Sequence, residues 1–145
     1  MEFRAASHAD YAALYPHRPR RAWRFAALQI SAGSAWTLWQ GGRPVAICGL
    51  FPLHSGIFEA WLMLARQIPA GAIRTILKRT AAIMPDTIII ARVDEENTAG
   101  QRLALMAGFV PVDEFLAGTQ KRTWVRRTGL PVMVDQQAPP FVPSP

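Results

Sequence analysis

Cysteine is nearly missing from this chain: Cys48 is the only one in 145 residues. A lone thiol excludes an intramolecular disulfide and a Cys-rich zinc site, and the apolar neighbours Ile47 and Leu50 read as a buried, inert side chain. Long apolar runs are missing as well. No stretch approaches the roughly eighteen uninterrupted apolar residues of a membrane span, and Met1-Glu-Phe-Arg lacks the basic-then-apolar order of a signal peptide. A cytoplasmic protein without a membrane partner is the expectation. Tyrosine is scarce too, with only Tyr11 and Tyr15, both near the N-terminus. No internal repeat is visible.

Charge is present but scattered. Sixteen Lys and Arg against ten Asp and Glu give a formal net charge of +6, which makes an anionic partner plausible. Twelve of the sixteen fall at Arg18, Arg20, Arg21 and Arg24, at Arg66, Arg74, Lys78 and Arg79, and at Lys121, Arg122, Arg126 and Arg127. No helix-turn-helix, zinc-finger or RNP signature accompanies them, so nucleic acid is not the expected partner. A nucleotide cofactor with several phosphates explains the charge equally well, and solubility alone explains any single arginine.

Half of the residues are apolar, enough for one domain with a core but not for two. That domain is expected over residues 1–127, followed by a Pro-rich tail, 128–145, extended or disordered in character. The chain opens with a short strand at Phe3, then a short helix capped by Ser7-x-x-Asp10 and ended before Pro16 and Pro19. Trp23, Ala26, Ala27 and Ile30 recur at helical spacing over Arg20 to Ala32. Gly41-Gly42 joins strands 35–40 and 45–51 as a hairpin, with Pro44 suited to the edge of the pair. Strand 57–65 alternates its faces and carries one carboxylate, Glu59. A helix over 72–84 and a strand over 87–93 complete a β-α-β unit, and strands 109–116 and 121–127 close the chain as a hairpin.

The most informative stretch is Asn97-Thr-Ala-Gly-Gln-Arg-Leu-Ala-Leu-Met-Ala-Gly108-Phe109. Asn97 or Thr98 can cap a helix, Thr98-x-x-Gln101 reads as a capping box, and Gly108 supplies the left-handed C′ position. This arrangement resembles the fourth helix of the GCN5-related N-acetyltransferase (GNAT) superfamily, and Arg4-Ala-Ala-x-x-x-Asp10 is similar to the family's usual start. The resemblance covers about residues 1 to 127. It extends in size and in a reduced phosphate loop to short phage- and prophage-encoded members.

The resemblance implies an α/β fold with a central mixed sheet flanked by about four helices, and transfer of an acyl group, acetyl first, from acetyl-CoA or another acyl-CoA to an amine. No metal is implied. In the family the pantetheine arm hydrogen-bonds along a strand like an added β-strand, which assigns backbone contacts to Met63 and Leu64. The family's loop Gln/Arg-x-x-Gly-x-Gly/Ala binds pyrophosphate at a helix N-terminus. Here it reads Gln67-Ile-Pro-Ala70-Gly71-Ala72, with Ala70 where the first glycine is expected and Pro69 lacking a donor. Arg66 or Arg74 would then supply charge, and Asn97 is carried over as a further cofactor residue.

For catalysis, Glu59 is the carboxylate in the position of the family's base, or else a charge paired with a nearby arginine. His54, in the loop before the strand, is the alternate base or a surface group. Ala104 stands where many members have a tyrosine that protonates the departing thiolate. The implied partners are a small-molecule or protein amine acceptor, anionic if the arginines between residues 18 and 24 face the cleft, and a second copy of the chain through the closing hairpin and Trp124. The alternative is a GNAT-fold binding or structural protein without strong catalysis.

Overall fold

The computed structural model describes residues 1–16, 20–54 and 56–127. The expected tail, 128–145, and the side chains of Arg18 and Arg20 lie outside the described residues. Eleven elements follow in order: β1 (Glu2–Ala5), α1 (His8–Leu14), α2 (Arg20–Ala32), β2 (Ser34–Gln40), β3 (Arg43–His54), β4 (Ile57–Leu64), α3 (Ala72–Ile83), β5 (Ile88–Asp94), α4 (Thr98–Met106), β6 (Val110–Phe115) and β7 (Lys121–Arg127). The strands make one seven-stranded mixed sheet, ordered β1-β2-β3-β4-β5-β7-β6. The chain divides into two compact units, Met1–Pro52 with Ala60–Ile83, and Leu53–Glu59 with the described residues from Met84 onward.

In the first unit, helix α1 begins where Ser7 and Asp10 form a reciprocal capping box, which satisfies amides that a helix start leaves without partners. Asp10 does more than cap. Its Oδ2 also accepts from the Thr37 hydroxyl at 2.7 Å, and both residues are buried, so α1 is pinned to β2. Gly41 and Gly42 take φ of 60° and 76°, the paired left-handed geometry of a tight hairpin turn. Strand β3 is longer than the sequence suggests and lies inside the sheet. Pro44 is therefore a buried residue near the start of an interior strand, not an edge residue, and it sits opposite Trp39 where the β2–β3 register shifts. A proline is tolerated there because a bulge removes the ladder bond it could not make.

Alternation along β4 feeds two clusters. Trp61 and Met63 pack with Tyr11, Ala26 and Ile47, whereas Leu62 and Leu64 pack with Leu38, Val45, Ala72 and Ile76. Successive strand side chains point to opposite faces, so α1 and α2 cover one face of this part of the sheet and α3 the other. Fully buried Leu38 and Ile47 each contribute about 1.5–3 kcal/mol of transfer free energy.

In the second unit, β5 pairs antiparallel with β7 from Ile88↔Arg127 to Asp94↔Lys121, and β6 pairs with the other side of β7. Helix α4 ends in a Schellman motif: the Phe109 amide donates to the Ala104 carbonyl, the Gly108 amide to that of Leu105, and Gly108 has φ 92°. Because β7 is an interior strand, Trp124 is only 5% exposed. It is a core residue and does not offer the dimer surface expected of it. No helix of the described residues is long and apolar enough to cross a membrane.

Candidate active site

The residues expected to hold an acyl-CoA all belong to the first unit, except Asn97. At the end of β4, the Ala65 amide donates to the Val45 carbonyl of β3 at 2.9 Å. A trans peptide points its C=O opposite to its N–H, and no peptide bond among the described residues is cis. The Leu64 carbonyl therefore faces away from β3. It accepts a hydrogen bond of 2.6 Å from the Tyr15 hydroxyl, a contact not foreseen from the sequence.

The chain then turns through Arg66, Gln67, Ile68, Pro69, Ala70 and Gly71 into α3. Gly71 has φ 84°, which any other L-residue reaches only with strain, and its carbonyl accepts the Thr75 amide at 3.0 Å. Ala72 is fully buried against Leu38, Val45, Ala46 and Ile76, so a larger side chain would separate α3 from the sheet. The Ala72 amide is committed to the Pro69 carbonyl at 3.1 Å. That leaves the next amides of the first turn, which a helix start does not satisfy internally, facing the helix N-terminus. Arg66, Gln67, Ala70 and Arg74 are exposed, and neither arginine forms an ion pair among the described residues.

On the α1–α2 side of this unit, His8, Tyr11, Trp23, Arg24, Ala27 and Ile30 line a cavity of about 260 Å³. Its walls are mostly hydrocarbon and ring, with Arg24 and His8 as the polar exceptions. Of the arginines proposed to attract an anionic acceptor, Arg24 lines this cavity and Arg21 is exposed.

The second unit holds the residues expected to carry chemistry. Glu59, on β4, accepts from Arg92 Nη1 of β5 at 2.7 Å, with side chains 22% and 23% exposed. The arginine partner is thus the reading of Glu59 that the geometry favours as a contact. His54 is the exposed last residue of β3 and not a loop residue, because β3 continues past Phe51. Asn97 is the N-cap of α4, its Oδ1 accepting from the Gly100 amide at 2.9 Å. The Thr98–Gln101 capping box does not form: Gln101 Nε2 donates instead to the Glu95 carbonyl at 2.8 Å. Ala104 is buried on α4.

No protein-family model and no curated protein sequence matches the chain. Solved structures do. The mixed sheet and its helices are the fold of the GCN5-related N-acetyltransferases. An IAA acetyltransferase from Bacillus cereus ATCC 14579 is similar at 12% identity over 86% of this chain and 95% of its own, with a TM-score of 0.63. A dodecameric spermidine N-acetyltransferase from Vibrio cholerae follows at 18% identity, 86% and 90% coverage and a TM-score of 0.57. The ribosomal-protein-S5-alanine acetyltransferase from Vibrio fischeri gives 11%, 85% and 89%, and 0.57. At such identities the likeness is one of fold.

Proposed function

We propose that the chain is an acyl-CoA-dependent N-acyltransferase, with acetyl-CoA as the donor and an amine as the acceptor. The observation that carries this reading is the end of β4: a backbone carbonyl turned away from β3, followed within a few residues by a glycine-hinged turn and a helix N-terminus. An extended amide-bearing arm is recognised by such a strand carbonyl, and a pyrophosphate by such a helix start. The residues fit the group. Met63 and Leu64 offer the strand backbone, the small side chains of Ala70, Gly71 and Ala72 leave the turn open, and Arg66, Gln67 and Arg74 provide exposed donors beside it.

Acetyl-CoA supplies an activated thioester. The chain's own work is then to orient the arm, to take a proton from the attacking ammonium, and to exclude water. Glu59 and His54 are the residues assigned to the proton. The amine nitrogen bonds to the acetyl carbon, the C–S bond breaks, and the thiolate leaves without a tyrosine at position 104 to protonate it. A thiolate is a tolerable leaving group, so the missing acid slows the transfer without forbidding it. The α1–α2 cavity, apolar with Arg24 on its wall, suits an acceptor that carries an apolar group and an anionic one.

A second reading, a GNAT-fold protein that binds without turnover, is favoured by one observation: the carboxylate in the base position is already engaged by Arg92. Calorimetric titration with acetyl-CoA, followed by an assay of free thiol released in the presence of amines, tests both. Saturable heat with thiol release supports the transferase, heat without release supports a protein that binds without turnover, and no heat removes every reading that depends on acetyl-CoA.

A further inference from the structure

Tyr15 has no role in the sequence reading, yet packing fixes it at the proposed arm site. It is the C-cap of α1, with its amide bonded to the Tyr11 carbonyl at 2.9 Å and its ring edge-on to Tyr11 at a centroid separation of 5.6 Å. Helix α1 is itself held by the buried Asp10–Thr37 hydrogen bond. The phenol thus reaches the Leu64 carbonyl from a well-anchored element. That carbonyl is turned away from β3, to the side on which the acyl-CoA reading has the arm add its own amides. A hydroxyl 2.6 Å from the oxygen stands where the ligand's N–H would have to approach.

We propose that Tyr15 is a binding determinant for acyl-CoA, its hydroxyl being the group that an amide N–H of the pantetheine arm displaces from Leu64. The proposal rests on the acyl-CoA reading above. It makes Tyr15 a gate on the arm alone: a ligand that engages only the 67–72 turn does not meet it. Ligands with an amide along the arm exchange one hydrogen bond for another, so their affinity is lower than an unoccupied Leu64 carbonyl would give.

Tyr15→Phe tests this, since phenylalanine keeps the ring packing and removes the hydroxyl. The probes are CoA and adenosine 3′,5′-bisphosphate, which has phosphates and nucleotide but no arm, each titrated by calorimetry into wild type and variant. The expected result is CoA bound about fivefold more tightly by the variant, the worth of one neutral hydrogen bond, with the bisphosphate unchanged. CoA affinity unchanged or weakened in the variant overturns the proposal, as does an equal shift for both probes, which would mark a general structural effect. If wild type binds neither probe, the acyl-CoA reading falls first, and that failure is distinct from an unaltered Tyr15→Phe.

Discussion

Arg92 Nη1 donates to Glu59 Oε1 across 2.7 Å, joining β5 to β4 by a partly buried ion pair, while Arg92 Nε is buried with no hydrogen-bond partner among the described residues. Breaking such a pair leaves a desolvated cation behind, which costs more than the pair itself contributes. Glu59→Gln is therefore expected to lower stability by about 1.5–3 kcal/mol, read from urea unfolding. Glu59→Gln with Arg92→Gln should recover part of the loss, because no charge is then left unpaired. If Glu59 is also the base, thiol release stays low in the double variant although the fold has recovered; restored release would leave Glu59 a purely structural partner.

Asn97 has a similar double assignment. Its Oδ1 caps α4, and only the amide nitrogen is left to meet a cofactor. Asn97→Ala should cost about 1 kcal/mol of stability through the lost cap. Asn97→Asp preserves the cap and removes the donor, so stability stays near wild type. Weaker acetyl-CoA binding in Asn97→Asp supports a cofactor contact, and unchanged binding makes Asn97 a cap alone.

What could be read from the sequence was local. The Ser7–Asp10 box, the Gly41-Gly42 turn and the Gly108 stop each depend on residues within one turn of chain, and each formed. The Thr98–Gln101 box was just as local and failed, because Asn97 takes the cap and so places Gln101 one residue past the position a capping box needs. Pro44 and Trp124 were misjudged since their burial follows from which strands lie inside the sheet, and strand order is set by contacts remote in sequence. The two contacts that bear most on function, Glu59 with Arg92 and Leu64 with Tyr15, span 33 and 49 residues. Periodicity carries no information at that range. Glu59 could be nominated only as a carboxylate on the right strand, and Tyr15 could not be nominated at all.

Cys48 is buried in β3, and burial pushes its thiol up to about 12 from the ordinary 9.0. The native state thus resists deprotonation that the unfolded chain allows. The folded value is the higher one, so its stabilising contribution is fully present below pH 9 and is lost as pH rises from 9 toward 12. Unfolding free energy should fall by about 1 kcal/mol more in wild type than in Cys48→Ala between pH 8 and pH 10. Equal slopes for the two proteins would mean that the thiol is not protected. Native protein should also leave Cys48 unmodified by a disulfide reagent until denaturant is added.

Ala104 is 7% exposed, which changes what a tyrosine there would do. Restoring the family's residue in place of a buried methyl group inserts a ring into a packed helix face. Overpacking of this kind costs about 1–3 kcal/mol. Ala104→Tyr is expected to shift the urea midpoint down by that amount, with no gain in thiol release. A variant as stable as wild type and faster would show that the surroundings of position 104 open readily and that the acid alone was lacking.

Arg66 is exposed at the start of the turn into α3 and has no ion-pair partner among the described residues. Arg66→Glu should therefore leave the fold intact, since exposed substitutions away from packed features change stability by only about 0.5 kcal/mol. Its effect on a ligand is different in kind. Reversing a charge close to a pyrophosphate replaces attraction by repulsion, and tenfold in affinity corresponds to about 1.4 kcal/mol. Acetyl-CoA binding should weaken by more than tenfold, and the loss should shrink as ionic strength is raised, because salt screens exposed charges over about 10 Å at 0.1 M. Arg74→Glu, further along α3, serves as the comparison: a smaller loss there would put the phosphates nearer Arg66. An unchanged dissociation constant in Arg66→Glu would remove Arg66 from the site and leave the helix amides to hold the phosphates alone.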